Sequence, residues 1–421
     1  MSKRTNSRRR YRRKSRLSRR GGMPVYRNAN RVGETAINTF NAAAAAGTML
    51  VLKFDSTAYS FFFEVRLPAG SNAYLNLTPT GPVPVRTLGM KVVLISTGEF
   101  HYTHIDETGR PRAKITTTVT DFRAECTTQR LIFDRMPGHS LVPGILHSRI
   151  EVDNADSRAF AMRIRAIPGN DHKTTVGINS IIQTLVANPN FRLGYVVMEL
   201  IAQPVSVSDY CDHFTRIGNI VAPLFVTNMA RWALLKIAHV TGILHADFHL
   251  GNIITGTSPE NMLFADALVG NAPVAVPIPQ TVQVIDWGRR VNINGTQLKA
   301  NIDALFLAFE AYIIASRLAF RVPALGQPPP RLDNVPLDQQ IHAVLRQYLE
   351  AAQPYNVNNH WQIEGLKTDP ANPNRANGID SFIICFFEAR YRRSRTAINQ
   401  NQALFASVVQ HDPTTVSQMG F

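Results

Sequence analysis

Three polar side chains stand out for the chemistry that their types and spacing allow. Asp247 lies two residues after His245 and five before Asn252, in the run Gly242-Ile243-Leu244-His245-Ala246-Asp247-Phe248-His249-Leu250-Gly251-Asn252-Ile253-Ile254. A second carboxylate follows in Val282-Gln283-Val284-Ile285-Asp286-Trp287-Gly288. Phosphoryl transfer needs a carboxylate beside the attacking hydroxyl and oxygen ligands on magnesium close by. Asp247 suits the first task. Asn252 and Asp286 suit the second, because Mg2+ is a hard cation that prefers carboxylate and amide oxygens and keeps several waters. His245 is placed to hold the backbone of the loop, and Ile253-Ile254 and Val284-Ile285 are expected to form the short strands that fix the two ligands. A plainer account of the same residues has Asp247 capping a turn and Asp286 in a tight turn before Gly288.

The two segments together resemble the protein-kinase superfamily. His245-x-Asp247 with Asn252 matches its catalytic loop, and Asp286-Trp287-Gly288 matches its metal-binding Asp-Phe-Gly element. The resemblance implies ATP and Mg2+ as cofactors and gives further residues a role. Lys91, in Met90-Lys91-Val92-Val93, resembles the lysine that pairs with the ATP phosphates, and Glu125 resembles its helix partner. Lys114 is the alternative lysine, eleven residues before Glu125, which leaves little room for a strand, a turn and two helical turns. Met198-Glu199-Leu200 resembles the hinge lining the adenine pocket, with backbone groups of Glu199 and Ile201 on the adenine edge. Ser56 and Thr57 stand where the family has a glycine-rich phosphate loop.

Several features depart from the family. His249 replaces a lysine, as in aminoglycoside-type phosphotransferases and other atypical kinases. The stretch Thr255–Thr281 is a long insertion before Asp286, and little activation segment separates Gly288 from the next helix. Together with an Arg/Ser-rich tail, these departures are similar to serine/threonine kinases of large nucleocytoplasmic DNA viruses, some of them packaged in virions. Host cytoplasm or virion is the location which that resemblance implies, and cytoplasm or nucleus otherwise.

Positioning these residues requires strands first and helices after. Met49–Phe54 and Ser60–Leu67 flank a polar turn and predict a β-hairpin. Met90–Ile95 and Gly194–Leu200 predict buried strands, and a second hairpin-like insert is expected over 98–119. Phe122, Glu125, Gln129 and Ile132 recur at helical spacing. So do Phe225, Met229, Trp232 and Ala233, with Gly242 placed to end that helix. Further helices are expected near 297–320, 335–352 and 378–410. The expected fold is α+β and two-lobed, protein-kinase-like, with a small β-rich N-lobe over 48–198 and a larger helical C-lobe over 199–421.

Composition bounds the rest. Of 421 residues, 45% are hydrophobic, enough for one large core or two modest ones. Residues 1–22 hold eleven Lys and Arg and no acidic residue, so the remaining chain, with 34 basic and 30 acidic residues, is nearly neutral. Residues 1–30 are expected to be a disordered basic tail. Contact with nucleic acid or another polyanion through residues 1–22 is one expectation; a nuclear-import signal, an anionic protein partner and a solubilising arm are the others. No apolar run is long and uncharged enough to span a membrane, and the polar, basic opening leaves no room for a secretory signal. Cys126, Cys211 and Cys385 fit no metal spacing and are expected to be reduced thiols. The protein substrate is not named by any of these features.

Overall fold

The computed structural model describes the chain between residues 25 and 321, apart from short stretches that include 46–50, 56–59, 68–73, 106–110, 137–140, 167–171, 217–220, 247–249 and 257–261. Beyond these it describes residues 340, 343–345, 347, 348 and 351. The expected helix at 378–410 and most of the tail lie outside the described residues, and the expected helix at 335–352 is described only at those few positions, all helical.

The chain enters through β1 (Val25–Arg27) and α1 (Ala29–Ala45), two elements the sequence pattern did not announce. The hairpin β2 (Val51–Asp55) and β3 (Ser60–Arg66) follows as expected, then the pair β4 (Tyr74–Leu77) and β5 (Gly81–Pro84). The long strand β6 (Thr87–Ser96) leads to the second hairpin, β7 (His101–Ile105) and β8 (Pro111–Ile115), and to the short β9 (Thr117–Thr118). Helix α2 (Val119–Arg135), strand β10 (Ile145–Ile150), helices α3 (Asn154–Arg165) and α4 (His172–Ala187) and strand β11 (Phe191–Glu199) complete this half.

The main sheet runs β10-β11-β6-β3-β2, antiparallel throughout, with β9 added in parallel to the end of β6. Its central strand β6 is buried along nearly its whole length. A strand covered on one face alternates apolar and polar, whereas one covered on both reads as an unbroken apolar run, as Met90–Ile95 does apart from Lys91. One face, carrying Leu88, Met90, Val92 and Leu94, packs on α1, α3 and α4 through Phe40, Phe160 and Ile181. The other, carrying Val93 and Ile95, packs on α2 through Phe122 and Cys126. The helices α1, α3 and α4 make this half less purely β than the sequence suggested. Gly33 lets α1 lie against β10: a Cβ there would overlap the Cβ of His147, and the neighbouring Glu34 pairs with His147 at 2.8 Å.

After β12 (Pro204–Ser206) the chain turns helical, with α5 (Val207–Arg216) and α6 (Val221–Thr241). Helix α6 is apolar on nearly every side and lies at the centre of its own buried cluster. Gly242 ends it with φ at +70°, its N–H donating to Ala238 O at 2.9 Å. Next come β13 (Ile243–His245), a single 3-10 turn (Leu250–Asn252), β14 (Ile253–Gly256) and a hairpin of β15 (Met262–Val269) and β16 (Ala272–Pro279) built from the expected insertion. The short strands β17 (Gln283–Val284) and β18 (Arg290–Asn292) precede α7 (Gln297–Arg321), which packs along α6. The fold is therefore mixed α+β with mainly antiparallel sheets. No helix among the described residues is long and apolar enough to cross a membrane.

Candidate functional site

Lys91 sits in the middle of β6 on the face turned to α2. Its ammonium donates to Glu125 Oε1 at 3.1 Å and lies 3.6 Å from Asp286 Oδ1. Lys91 and Glu125 are 7% and 9% exposed, so neither charge has much water to solvate it and each depends on the other. The Asp286 side chain is 38% exposed and lines the cleft. Burial raises the Glu125 carboxyl above its ordinary value; the Lys91 ammonium opposes that rise and the Asp286 carboxylate adds to it.

Local structure explains how Glu125 reaches this position. Thr118 caps α2, its hydroxyl accepting from Asp121 N at 3.1 Å while the Asp121 carboxylate accepts from Thr118 N at 3.3 Å. The helix then presents Phe122, Glu125, Cys126 and Gln129 as one buried stripe to the sheet. Gly194 on β11 admits the Phe122 ring, which would lie 2.9 Å from a Cβ at that position. Lys114 lies on the β7–β8 hairpin, outside the main sheet, so Lys91 is the lysine that the fold delivers to Glu125.

The cleft between β6, α2, the end of β11 and Asp286 encloses about 360 Å³, open solvent included, with Phe62, Val196 and Met198 as its apolar lining beside the charged cluster. Met198 and Glu199 close β11, as expected of the segment leading to the second half of the chain, and Ile201 lies two residues beyond Glu199. Glu199 N donates to Gly144 O at 3.0 Å, and the Glu199 carboxylate accepts from Gly144 N at 2.8 Å. The Cys126 thiol, beside Glu125 in the same wall, is pushed up to about 11, first by burial and then by the Glu125 charge. That value leaves it un-ionised at neutral pH.

Asp286 adopts φ of +65°, a left-handed conformation that a non-glycine residue rarely takes without surrounding restraint. The restraint is visible on both sides. Ile253 pairs with Val284 and His245 with Arg290, so the strands before and after Asp286 are each tied to a strand flanking the 246–252 loop. Ile285 N donates to Asn252 O at 2.9 Å, and Ala246 N donates to Arg289 O at 3.0 Å. His245, fully buried, donates from Nε2 to Ile285 O at 2.9 Å and stands edge-on to the Trp287 indole. The Trp287 Nε1–H donates in turn to Val284 O at 3.1 Å.

The fold thus gathers Lys91, Glu125, Met198, Glu199, His245, Asn252 and Asp286 about one cleft and one pair of loops. Asp247, Ser56 and Thr57 lie outside the described residues. Among the described residues, no three His, Cys, Asp or Glu side chains are grouped to hold a metal by themselves. A magnesium ion bound through one or two carboxylates and the phosphates of its substrate needs no such group. Sequence reasoning missed Tyr348, whose hydroxyl accepts from His245 N at 2.6 Å. It also missed Gln129 as a polar member of the site wall. The i, i+4 spacing of Glu125 and Gln129 was the available signal for Gln129; nothing in the sequence links Tyr348 to His245.

No family model matches the chain, and no curated protein matches it. Among solved structures, one described as WaaP in complex with acyl carrier protein is similar over 77% of this chain and 88% of that one, at 11% identity and a TM-score of 0.26. A likeness at that score carries no weight for fold detail or function.

Proposed function

We propose that this chain is an ATP- and magnesium-dependent phosphotransferase with a two-lobed, protein-kinase-like fold, acting on Ser/Thr hydroxyls of a protein acceptor. The observation that carries the reading is the buried Lys91 ammonium held between Glu125 and Asp286. In protein kinases a strand lysine paired with a helix glutamate and a metal-binding aspartate must be in place together for transfer. In this reading Lys91 grips the nucleotide phosphates and Glu125 fixes its direction. Met198 and the backbone of Glu199 and Ile201 receive the adenine, and Ser56 and Thr57 take the nucleotide-binding role of the family's phosphate loop. Asn252 and Asp286 hold the Mg2+, which when bound offsets the phosphate charge. Asp247 orients the acceptor hydroxyl and takes its proton as the oxygen bonds to the γ-phosphorus and ADP leaves. His245 keeps the two loops in register.

The test is transfer of labelled γ-phosphate to a generic basic protein with Mg2+, comparing wild type with Asp286→Ala. The expected result is transfer by wild type and its loss in the variant, with melting temperatures within a few degrees. Full activity in the variant would sink the assignment.

A small-molecule acceptor is the second reading. It is favoured by the short path from Gly288 to α7, which holds only β18 and a turn and offers no peptide-docking segment. Transfer to a hydroxylated metabolite in the absence of protein would select it. ATP binding without turnover would instead leave a structural protein of kinase-like fold. For residues 1–22 we propose salt-dependent binding to nucleic acid or another polyanion, tested by deleting them and measuring what binding is lost.

A further inference from the structure

The segment Leu141–Gly144, between α2 and β10, is hydrogen-bonded through its main chain to α2, to the end of β11 and to the strand before Asp286. Leu141 O accepts from Val284 N at 2.8 Å, two residues before Asp286. Pro143 O accepts from Gln129 Nε2 at 2.7 Å, in a buried setting. Gly144 is bonded twice to Glu199, by its carbonyl to the Glu199 N–H and by its N–H to the Glu199 carboxylate. A Cβ on Gly144 would lie 3.0 Å from the Phe133 ring of α2 and 3.2 Å from Glu199 Cδ, so helix, strap and strand end are also in close steric contact. Leu141 and Val142 anchor this strap in the cluster around α6.

Gln129 follows Glu125 by one helical turn and shares its face. Two points one turn apart fix both the rotation of a helix and its height along its axis. On α2 these are the Glu125 carboxylate on Lys91 and the Gln129 amide on Pro143 O. We infer that Gln129 is a positioning residue: through the Leu141–Gly144 strap it locks α2 to the Glu199 strand end and to the strand that leads into Asp286, so that the Lys91–Glu125 pair forms in register with the adenine-binding edge. This inference rests on the nucleotide-binding reading above. Leu141–Gly144 do not line the cleft, and removing the Gln129 bond frees α2 at the phosphate end while both bonds between Gly144 and Glu199 remain.

The experiment compares affinities of the full chain for Mg2+ with a non-hydrolysable ATP analogue and for adenosine alone, by calorimetry. Wild type is expected to prefer the triphosphate. Gln129→Met keeps the side-chain volume and removes the donor. It is expected to lose about tenfold of that preference, as for one buried hydrogen bond left unmade, with adenosine affinity held. Gln129→Ala removes the same donor while leaving room for a water on Pro143 O, and it is expected to move the ratio the same way, which preserves the test should Gln129→Met not fold. Variants that keep the wild-type ratio, or that lose adenosine and triphosphate binding equally, would overturn the positioning role while leaving the nucleotide site standing. A wild type with no preference for the triphosphate would overturn the nucleotide reading itself, and the strap with it.

Discussion

Gly194→Ala places one methyl group beneath the helix that carries Glu125. The new Cβ would lie 2.9 Å from Phe122 Cε2 and Cζ, where ordinary contact begins at 3.4 Å, so the ring must retreat by about 0.5 Å. Phe122 is 2% exposed and enclosed by Val93, Ile95, Cys126, Val196 and Met198, which leaves it no alternative rotamer to occupy. The retreat therefore passes to α2. Glu125 lies three residues on and shares the Phe122 face, so its 3.1 Å bond to Lys91 lengthens beyond hydrogen-bonding range. Over-packing of this kind costs about 1–3 kcal/mol, and each kcal/mol lowers the melting temperature of a large domain by roughly 2–4 °C. Losing a charge-assisted hydrogen bond of about 1.5–3 kcal/mol should also raise KM for MgATP by roughly tenfold or more. Thermal melts and steady-state kinetics on the same preparation measure both. Wild-type stability would refute the packing account. Lowered stability with an unchanged KM would show that the seating of α2 does not govern the grip on nucleotide.

Two further outcomes follow from the buried polar groups. Tyr348→Phe removes the acceptor for His245 N–H in a fully buried setting and should cost about 1–3 kcal/mol. Because His245 also holds Ile285 O, kcat should fall more than KM rises; equal stability and activity in the variant would deny Tyr348 that role. For Glu125 the sign follows from its raised carboxyl, whose ordinary value is 4.5. The folded chain binds this proton more tightly than the unfolded one. The group therefore favours folding below about pH 4.5, and that contribution is lost as pH rises through its folded value. The melting temperature of wild type minus that of Glu125→Gln should accordingly decline between pH 4.5 and 7, and a flat difference would contradict the burial argument.

The chemical core of the site was legible because its signals are local. Asn252 and Asp286 flank short apolar runs that pair as β14 and β17, so the same local segments specify the strands and bring the two residues near each other. Lys91 rather than Lys114 meets Glu125, though not for want of space: strand β8 and two turns of α2 fit where the sequence left little room, and Lys114 is set apart because its hairpin lies outside the main sheet. The helices α1, α3 and α4 were not read, because their apolar positions are diluted by Asn, Thr and Arg and their stability comes from the sheet face that they cover. That cover was implicit in the nearly unbroken apolar run of β6, which a one-sided sheet would not tolerate. Gln129 and Tyr348 were missed for another reason. A buried polar group declares its role only through its partner, and the partners, Pro143 O for the Gln129 donor and His245 N–H for the Tyr348 acceptor, lie 14 and 103 residues away, beyond any periodic pattern.

The most direct test of the central claim is covalent mapping of the lysine that meets the nucleotide phosphates. An acyl-phosphate derivative of ATP transfers its acyl group to an amine lying against the phosphate chain, and peptide mass mapping identifies the residue. Acylation concentrated on Lys91 and suppressed by excess ATP with Mg2+ is the predicted result. Labelling spread over other lysines, or labelling of Lys91 that ATP does not suppress, would contradict the account.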